Sequence, residues 1–420
     1  MLSKANNQLI TETGQGTPMG RLMREYWVPI LRSSQVKPGG APYRVTVMSD
    51  KYVVFRLRNG EVGVMNEACP HRGASLAMAR NEETGLRCIY HGWKMAPSGK
   101  LLDAPTHAVD EPLHEIRTGA HPVHEGQGII WVWLGKGTTS AAAGTVKTAP
   151  PFRPLSFTDL PDSHVISATA VINCNWLHPL ETLWDVFHAQ ILHNQTNRNS
   201  SRGNAYFSSS GRRTDSGIEF DYPEMRAHST DYGFAYANHD AAKTTHFHFI
   251  LPFIQHHAIS PGAMADKGLQ ISVPIDDDHA VLWMIFYNRH TPLQPDGFAM
   301  QNLASIPNLN NFLEELGERT ADNRWGQDRD AVDRGESFAG FGGKKTTLIN
   351  IFAEDLAVIE SQGRVDRSRE YLAPVDLALV KGRKTLVDAV KAYERGEVPL
   401  GRDHDLSEIE AGFDVVKALP

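Results

Sequence analysis

The sequence predicts an α+β protein of two domains: an antiparallel all-β domain, then a larger domain in which antiparallel sheet packs with helices. Three observations carry this. From Tyr43 to about Leu134, short alternating segments (YRVTVMSD, YVVFRLRNG, GIIWVWLG) are bounded by Gly, Asn, Asp and Pro, the pattern of strands joined by tight turns. The stretch GKGTTSAAAGTVKTAPPFRP that follows is small and polar with paired prolines, cannot bury enough surface to form an element, and reads as a linker. It divides the chain into 1–149, the first domain with an N-terminal extension and the linker, and 150–420, the second. Beyond the linker, a helical stretch near 176–193 leads into a strand-rich region (HFHFILPFIQHHAIS, GLQISVPI, AVLWMIFYNRH), and helical spacing returns near 308–319, 349–362 and 379–395.

Composition bounds the function. At 420 residues and 41% hydrophobic content the chain is long enough for two or three domains. A net charge of −7 with both signs interspersed gives no electrostatic footprint for nucleic acid or an anionic membrane. Three cysteines leave no room for a disulfide framework, and Cys174 reads as a small buried hydrophobe. The N-terminus lacks the build of a signal peptide and no run approaches the roughly twenty apolar residues of a membrane span. A soluble, cytoplasmic protein is expected.

Within the first domain, Cys69-Pro70-His71 and Cys88-Ile89-Tyr90-His91 each hold one cysteine and one histidine. A structural zinc site usually pairs like ligands in each half or uses four thiolates. If two facing loops each give one thiolate to one iron and one imidazole to another, the mixed halves make the His₂Cys₂ ligation of a Rieske [2Fe-2S] centre. Gly73 and Gly92 permit the close loop backbone such a centre needs, with Tyr90 and Trp93 packed beside it. A zinc ribbon is the bland alternative, and on this motif alone the chain is an electron carrier.

The second constellation is Asn175, Glu181, Asp185, His188 and His193. On a continuous helix Asp185 and His188 share a face, with Glu181 one turn back. His193, five residues on, points about 140° away from His188 on a regular helix. For both to reach one ion the helix must end or widen into a π-turn between them. Two histidines and one carboxylate on one side of a metal, with other positions open, make the site type of non-haem Fe(II) oxygenases.

CPHRGASLAMARNEETGLRCIYHGWKM resembles the Rieske domain of ring-hydroxylating oxygenases, and NWLHPLETLWDVFHAQILH resembles the mononuclear-iron helix of the phthalate-dioxygenase-like group. GTPMGRLMREYWVP, SVPIDDDHAVLWMIFY, WGQDRDAVDRGESFAGFGG and AEDLAVIESQGRVDRSREYL extend the resemblance over nearly the whole chain. It implies a catalytic domain of the helix-grip, START-like type. It also implies a cluster held by Cys69, His71, Cys88 and His91, and a non-haem Fe(II) held by His188, His193 and Asp355, with Glu354 and Glu360 as lesser choices for the carboxylate. Asp185 then bridges to a cluster histidine of a neighbouring subunit in a trimer or stacked hexamer. Asn175 and Glu181 complete the set of catalytic candidates. Electrons come from NAD(P)H through a separate reductase. The implied activity is that of an oxygenase (α) component hydroxylating an aromatic substrate with O₂, in the first place an aromatic carboxylate of the phthalate or benzoate kind. The alternative is O-demethylation of a methoxylated aromatic acid.

Departures concern the substrate pocket. Trp184 and Phe187 stand on the iron helix, where they line the cavity or join the core, and His178 reads as a hydrogen-bonded core histidine. Arg226 and Arg202 are the candidates for a bidentate clamp on a substrate carboxylate. His246, His248, His256 and His257 lie in a β-rich run and read as sheet residues, and Asp276-Asp277-Asp278 as a turn.

Overall fold

A computed structural model of the chain describes residues 2–107, 116–135, 149–193, 212–214, 217–219, 224–239, 243–258, 266–344, 346–364 and 366–415. Helix α1 (Lys4–Thr11) starts at Ser3, whose hydroxyl accepts from Asn6 N, and α2 (Pro18–Met23) starts at Thr17 with proline in its first turn. The chain forms two compact units. One is Thr13–Arg153, and the other joins Met1–Glu12 to Pro154–Pro420. The expected first domain therefore loses its N-terminal extension. Helix α1 packs within the larger unit, where Leu2 N donates to Arg367 O at 3.2 Å.

The smaller unit contains β1 (Trp27–Arg32), β2 (Tyr43–Val47), β3 (Asp50–Arg56), β4 (Val62–Asn66), β5 (Arg80–Glu82), β6 (Gly85–Arg87), β7 (Lys94–Met95), β8 (Leu101–Asp103), β9 (Ala120–His121), β10 (Val123–Gly126) and β11 (Ile129–Trp133). They form antiparallel sheets in the orders β1-β11-β10, β2-β3-β4-β9 and β5-β6-β7-β8. The loops after β4 and β6 carry the two Cys/His segments. Beneath them Val53, Phe55, Met65, Leu76, Leu86 and Met95 are buried in one cluster with Cys69 and Cys88. Each large side chain so buried stabilises by about 1.5–3 kcal/mol, so the loops rest on a firm base.

In the larger unit β12 (Val165–Ile172) precedes α3 (Leu177–Trp184) and α4 (His188–Ile191). A short hairpin of β13 (Arg212–Thr214) and β14 (Gly217–Glu219) is followed by β15 (Glu224–Thr230), β16 (Gly233–His239), β17 (Lys243–Ile250), β18 (Ile254–Ala258), β19 (Lys267–Pro274) and β20 (Ala280–Tyr287). Then come α5 (Phe298–Leu303), α6 (Arg329–Asp333), α7 (Thr347–Ser361), α8 (Leu377–Glu394) and β21 (Gly412–Val415). The sheet runs β12-β20-β19-β18-β17-β16-β15, antiparallel throughout, with β21 paired to β17. Strand alternation puts Thr245, Phe247 and Phe249 on one face of β17 and His246 and His248 on the other. Helices α7 and α8 pack on α3, and α3 packs on β18 and β19.

Two expected helices differ. The stretch 176–193 is broken by Asp185, whose backbone at φ −94° and ψ 87° is not helical. The stretch 308–319 is turns with one 3₁₀ turn at Glu314–Leu316. Its backbone serves the sheet instead: Thr169 N donates to Leu309 O at 2.8 Å, and Phe312 N to Thr169 O at 2.9 Å. Asn308 folds back to accept from Asn310 N at 3.1 Å, a local turn that competes with helix.

Candidate metal centres

The two Cys/His loops share one backbone design. Gly73 N donates to Cys69 O and Gly92 N to Cys88 O, at 2.8 and 3.0 Å, while Cys69 N and Cys88 N donate to Ala74 O and Trp93 O, both at 2.8 Å. Gly73 (φ +75°) and Gly92 (φ +77°) occupy the left-handed region that these turns require. Cys69 and Cys88 are buried free thiols. Burial and the adjoining Cys88 thiol push the Cys69 thiol above its ordinary range. The imidazoles of His71 and His91 meet with ring centroids 4.5 Å apart, and Trp93 stacks on His71 at 4.6 Å and 7°. Its indole N–H is held by Thr106 at 2.8 Å. Two thiols and two imidazoles thus gather at one end of the smaller unit, a donor set that fits a Rieske cluster.

The second centre is built by α3, α4, the turn after α4, and α7. One ligand atom from each of His188, His193 and Asp355 lies within 4.8 Å of the others. His193 Nε2 stands 3.0 Å and His188 Nε2 3.5 Å from Asp355 Oδ1. Both Nδ1 atoms are engaged elsewhere. That of His188 donates to the carbonyl of Asp185, and that of His193 donates to Glu354 Oε2 at 2.6 Å. This fixes the tautomers and leaves both Nε2 atoms turned toward the carboxylate. Burial opposes charge on His193, yet Asp355 and Glu354 together hold it up at about 10. Burial likewise works against an ionised Asp355, and His193 with His188 holds its carboxyl well below the usual carboxylate range. Two imidazoles and a carboxylate converging in this way fit a 2-His-1-carboxylate ferrous site.

The breaking of the expected helix makes the convergence possible. Asp185 Oδ1 accepts from Phe187 N at 3.0 Å and His188 N at 3.2 Å, so it ends one helix and starts the next. Helix α4 then ends at Ile191, and His193 turns inward from the following turn; the helix ends rather than widening. Asp185 remains partly exposed, at 31% of its side chain.

The other candidates take different places. Glu181 is buried and salt-bridged to Arg367 at 2.7 Å and Arg383 at 2.7 Å, and Arg383 also pairs with Glu370. Asn175 bridges α1 and the loop after β19, donating to Thr11 O at 3.0 Å and Asp277 O at 2.8 Å. These contacts make both structural braces and correct their assignment to catalysis. Glu360 is held by Arg319 at 2.7 and 2.8 Å. His178 is a buried core histidine, its Nδ1 3.2 Å from Asn175 O. Glu354, considered only as a lesser ligand, is the residue that sequence reasoning misplaced: it stands behind His193, and its adjacency to Asp355 on a buried helix was the available signal.

A cavity of about 890 Å³, its mouth included, opens beside the triad, between the helices and the inner face of the sheet. Trp184 does not line it. The indole is fully buried and donates to Gln255 Oε1 at 3.0 Å. Phe187 is half-buried and outside the lining. Arg226 is exposed on β15 and paired with Glu224 at 2.8 Å, so it is no clamp in this cavity; Arg202 lies outside the described residues. Among the described residues that line the cavity there is no arginine. His246 and His248 bond Asp414 and Tyr232, both at 2.7 Å, and Asp276 caps its own turn. Among the described residues the triad is the one group of three or more histidines, cysteines and acids whose ligand atoms all lie within 4.8 Å of one another.

Comparison with known proteins accords with this geometry. Residues 26–117 match the Rieske [2Fe-2S] domain and residues 141–412 the LigXa C-terminal domain like family. The 3-chlorobenzoate-3,4-dioxygenase oxygenase subunit of Comamonas testosteroni is 33% identical over 96% of this chain and 92% of its own. The phthalate 4,5-dioxygenase oxygenase subunit of Pseudomonas putida is 30% identical over 96% and 89%. The 5,5'-dehydrodivanillate O-demethylase oxygenase subunit of a Sphingobium species is 30% identical over 95% and 83%. In fold, the terminal oxygenase of carbazole 1,9a-dioxygenase from Nocardioides aromaticivorans superposes with a TM-score of 0.61 at 15% identity, covering 92% of this chain and 97% of that one. A cysteine–histidine loop pair on an all-β unit, a two-histidine, one-carboxylate triad beside a cavity, and full-length kinship with these subunits place the chain in the Rieske non-haem iron ring-hydroxylating oxygenases, as an oxygenase component.

Proposed function

We propose that this oxygenase component acts on an aromatic acid of the benzoate or phthalate kind, with the chemistry centred on His188, His193 and Asp355. The observation that carries the reading is the triad opening directly into a largely apolar cavity, supported by two full-length relatives named for chlorobenzoate and phthalate. The O-demethylase relative keeps demethylation of a methoxylated aromatic acid as the second reading.

Bound at these residues, the cluster supplies single electrons and the ferrous ion supplies O₂ activation. The chain supplies the rest. Cys69 and Cys88 give thiolates, and His71 and His91 give imidazoles. Glu354 and the Asp185 carbonyl hold the Nδ1 protons of His193 and His188, so that their Nε2 atoms remain ligands. The apolar cavity wall excludes water and seats the ring. Asp185, with a carboxylate partly open to solvent, reaches outward to the cluster histidine of a neighbouring subunit. The working unit is then a head-to-tail trimer, alone or stacked in a hexamer, served by a reductase that draws on NAD(P)H in the cytoplasm.

The test is a screen of oxygen uptake with a surrogate reductase across benzoates, phthalate isomers and methoxybenzoates, with iron counted per chain. Uptake with ring-hydroxylated acids, two irons from the cluster and one from the triad supports the reading. Formaldehyde release favours demethylation. A fully active monomer by light scattering overturns the trimer.

A further inference from the structure

The sheet wall of the cavity carries three polar side chains: Thr245 on β17, His257 on β18 and Gln270 on β19. Strand register shows that this is not ordinary core polarity. Gln255 and Gln270 are directly opposed across β18 and β19, and so share a face. Gln255 has its needs met: its amide accepts from Trp184 Nε1 at 3.0 Å and donates to His256 O at 2.7 Å and Tyr236 Oη at 3.2 Å. Gln270, its neighbour, is 7% exposed, and its amide has no hydrogen-bond partner among the described residues. Thr245 Oγ1 and His257 Nε2 are also buried without a partner there. Burial pushes His257 down to about 4, so its imidazole is neutral at neutral pH.

Buried polar groups are almost always paired, and an unpaired one costs about 1–3 kcal/mol. Two such groups, with the unpartnered Gln270 amide beside them on the wall of the cavity that the triad also lines, amount to a recognition surface waiting for its partner. All three are uncharged and can donate: an amide N–H, a hydroxyl and an imidazole N–H. We infer that Gln270, with Thr245 and His257 beside it, binds an acceptor oxygen on the aromatic substrate and so sets which ring position faces the triad. This deepens the proposed function and rests on it: recognition of the acid's oxygen falls to neutral donors on the sheet. A carboxylate oxygen and the carbonyl oxygen of an ester share the chemistry that these groups read.

The experiment measures binding of benzoate, methyl benzoate and toluene to the iron-loaded holoenzyme by equilibrium dialysis, with oxygen uptake alongside, for wild type, Gln270→Leu, Thr245→Val and His257→Phe. Iron content and melting temperature are recorded for each. The expected result is an affinity loss of about tenfold per substitution for benzoate, none for toluene, and unchanged iron. Loss for methyl benzoate as well assigns recognition to a neutral oxygen; loss for benzoate alone assigns it to the charged one. Equal losses for all three compounds, or none in any variant while wild type binds and oxidises benzoate, overturns the inference and leaves the aromatic-acid reading intact. If wild type neither binds nor oxidises any of the three, the aromatic-acid reading itself fails. Should Gln270→Leu fold poorly, Gln270→Glu decides, because a carboxylate there repels benzoate and spares toluene.

Discussion

Asp185 does two things with one side chain, and they can be separated. Its Oδ1 accepts from the backbone N–H groups of Phe187 and His188 at the entry to α4, a role that an amide oxygen also fills, whereas its charge is not replaceable by an amide. Asp185→Asn should therefore keep the cluster absorption and the iron while lowering product formation on the order of a hundredfold. Near wild-type turnover would leave the residue its backbone contacts and nothing more. Glu354 offers a complementary case. Leucine there removes the group holding His193 Nδ1, and iron affinity should fall about 10- to 100-fold, while glutamine, which can still accept that proton, retains most of it. Metal titration of the two variants reads this directly, and equal affinity in both would dismiss the role. Of this site, His188, His193 and Asp355 follow from the family resemblance and not from their spacing alone, and the structure brings the three together. Glu354 was not legible: two adjacent acids on one helix look alike in sequence, and only their directions, one toward Nδ1 and one toward Nε2 of the same ring, tell them apart.

At the scale of elements, the instructive feature is the interruption between α3 and α4. Periodicity through 176–193 is compatible with one helix, since a cap inside a helical pattern costs too little to show against it. What holds the halves apart is tertiary. Glu181 near the end of α3 is salt-bridged to Arg367 and to Arg383 of α8, which anchors α3 before the chain turns. Burial alone would raise the Glu181 carboxyl, but the two guanidinium groups hold it below the usual carboxylate range. A depressed folded value contributes stability that is present above the unfolded value of about 4.5 and is lost as pH falls through the folded one. Glu181→Gln strands two arginines, one of them with Glu370 still beside it, and should destabilise by about 3 kcal/mol at neutral pH. The gap from wild type should begin to narrow below pH 4.5 and close only as pH falls through the lower folded value, where both proteins carry a neutral side chain. Urea denaturation at pH 7 and pH 4 would show it, and a gap independent of pH would mean that lost packing dominates. The strands were easier to foresee, because β17, β19 and β20 alternate or run apolar over a full strand length. The stretch 308–319 was misread because its turn chemistry and its backbone bonds to Thr169 outweigh a weak helical spacing.

For the whole molecule, the two centres reside on separate units, and the proposed trimer passes electrons between subunits. A mixture tests it. Chains with Cys69→Ala lack a thiolate for the cluster, and chains with His188→Ala lack an iron ligand, so each alone should be inactive. Co-expressed, they should recover a measurable share of wild-type turnover, since some neighbouring pairs unite an intact cluster with an intact triad. Mixed oligomers that stay silent would place the electron path within one chain.

The excursion of the chain from α1 into the smaller unit and back at Pro154 has a consequence of its own. The cluster-bearing unit is an insertion, spliced into its host and sewn at both ends. Asn7 Oδ1 accepts from Arg367, the same guanidinium that grips Glu181. A protease cut at one seam would leave a nicked protein that stays whole, held by the other seam and by the docked first helix. Trimming the first dozen residues as a disposable tail would unpick the brace beneath the iron helix while the smaller unit kept its fold.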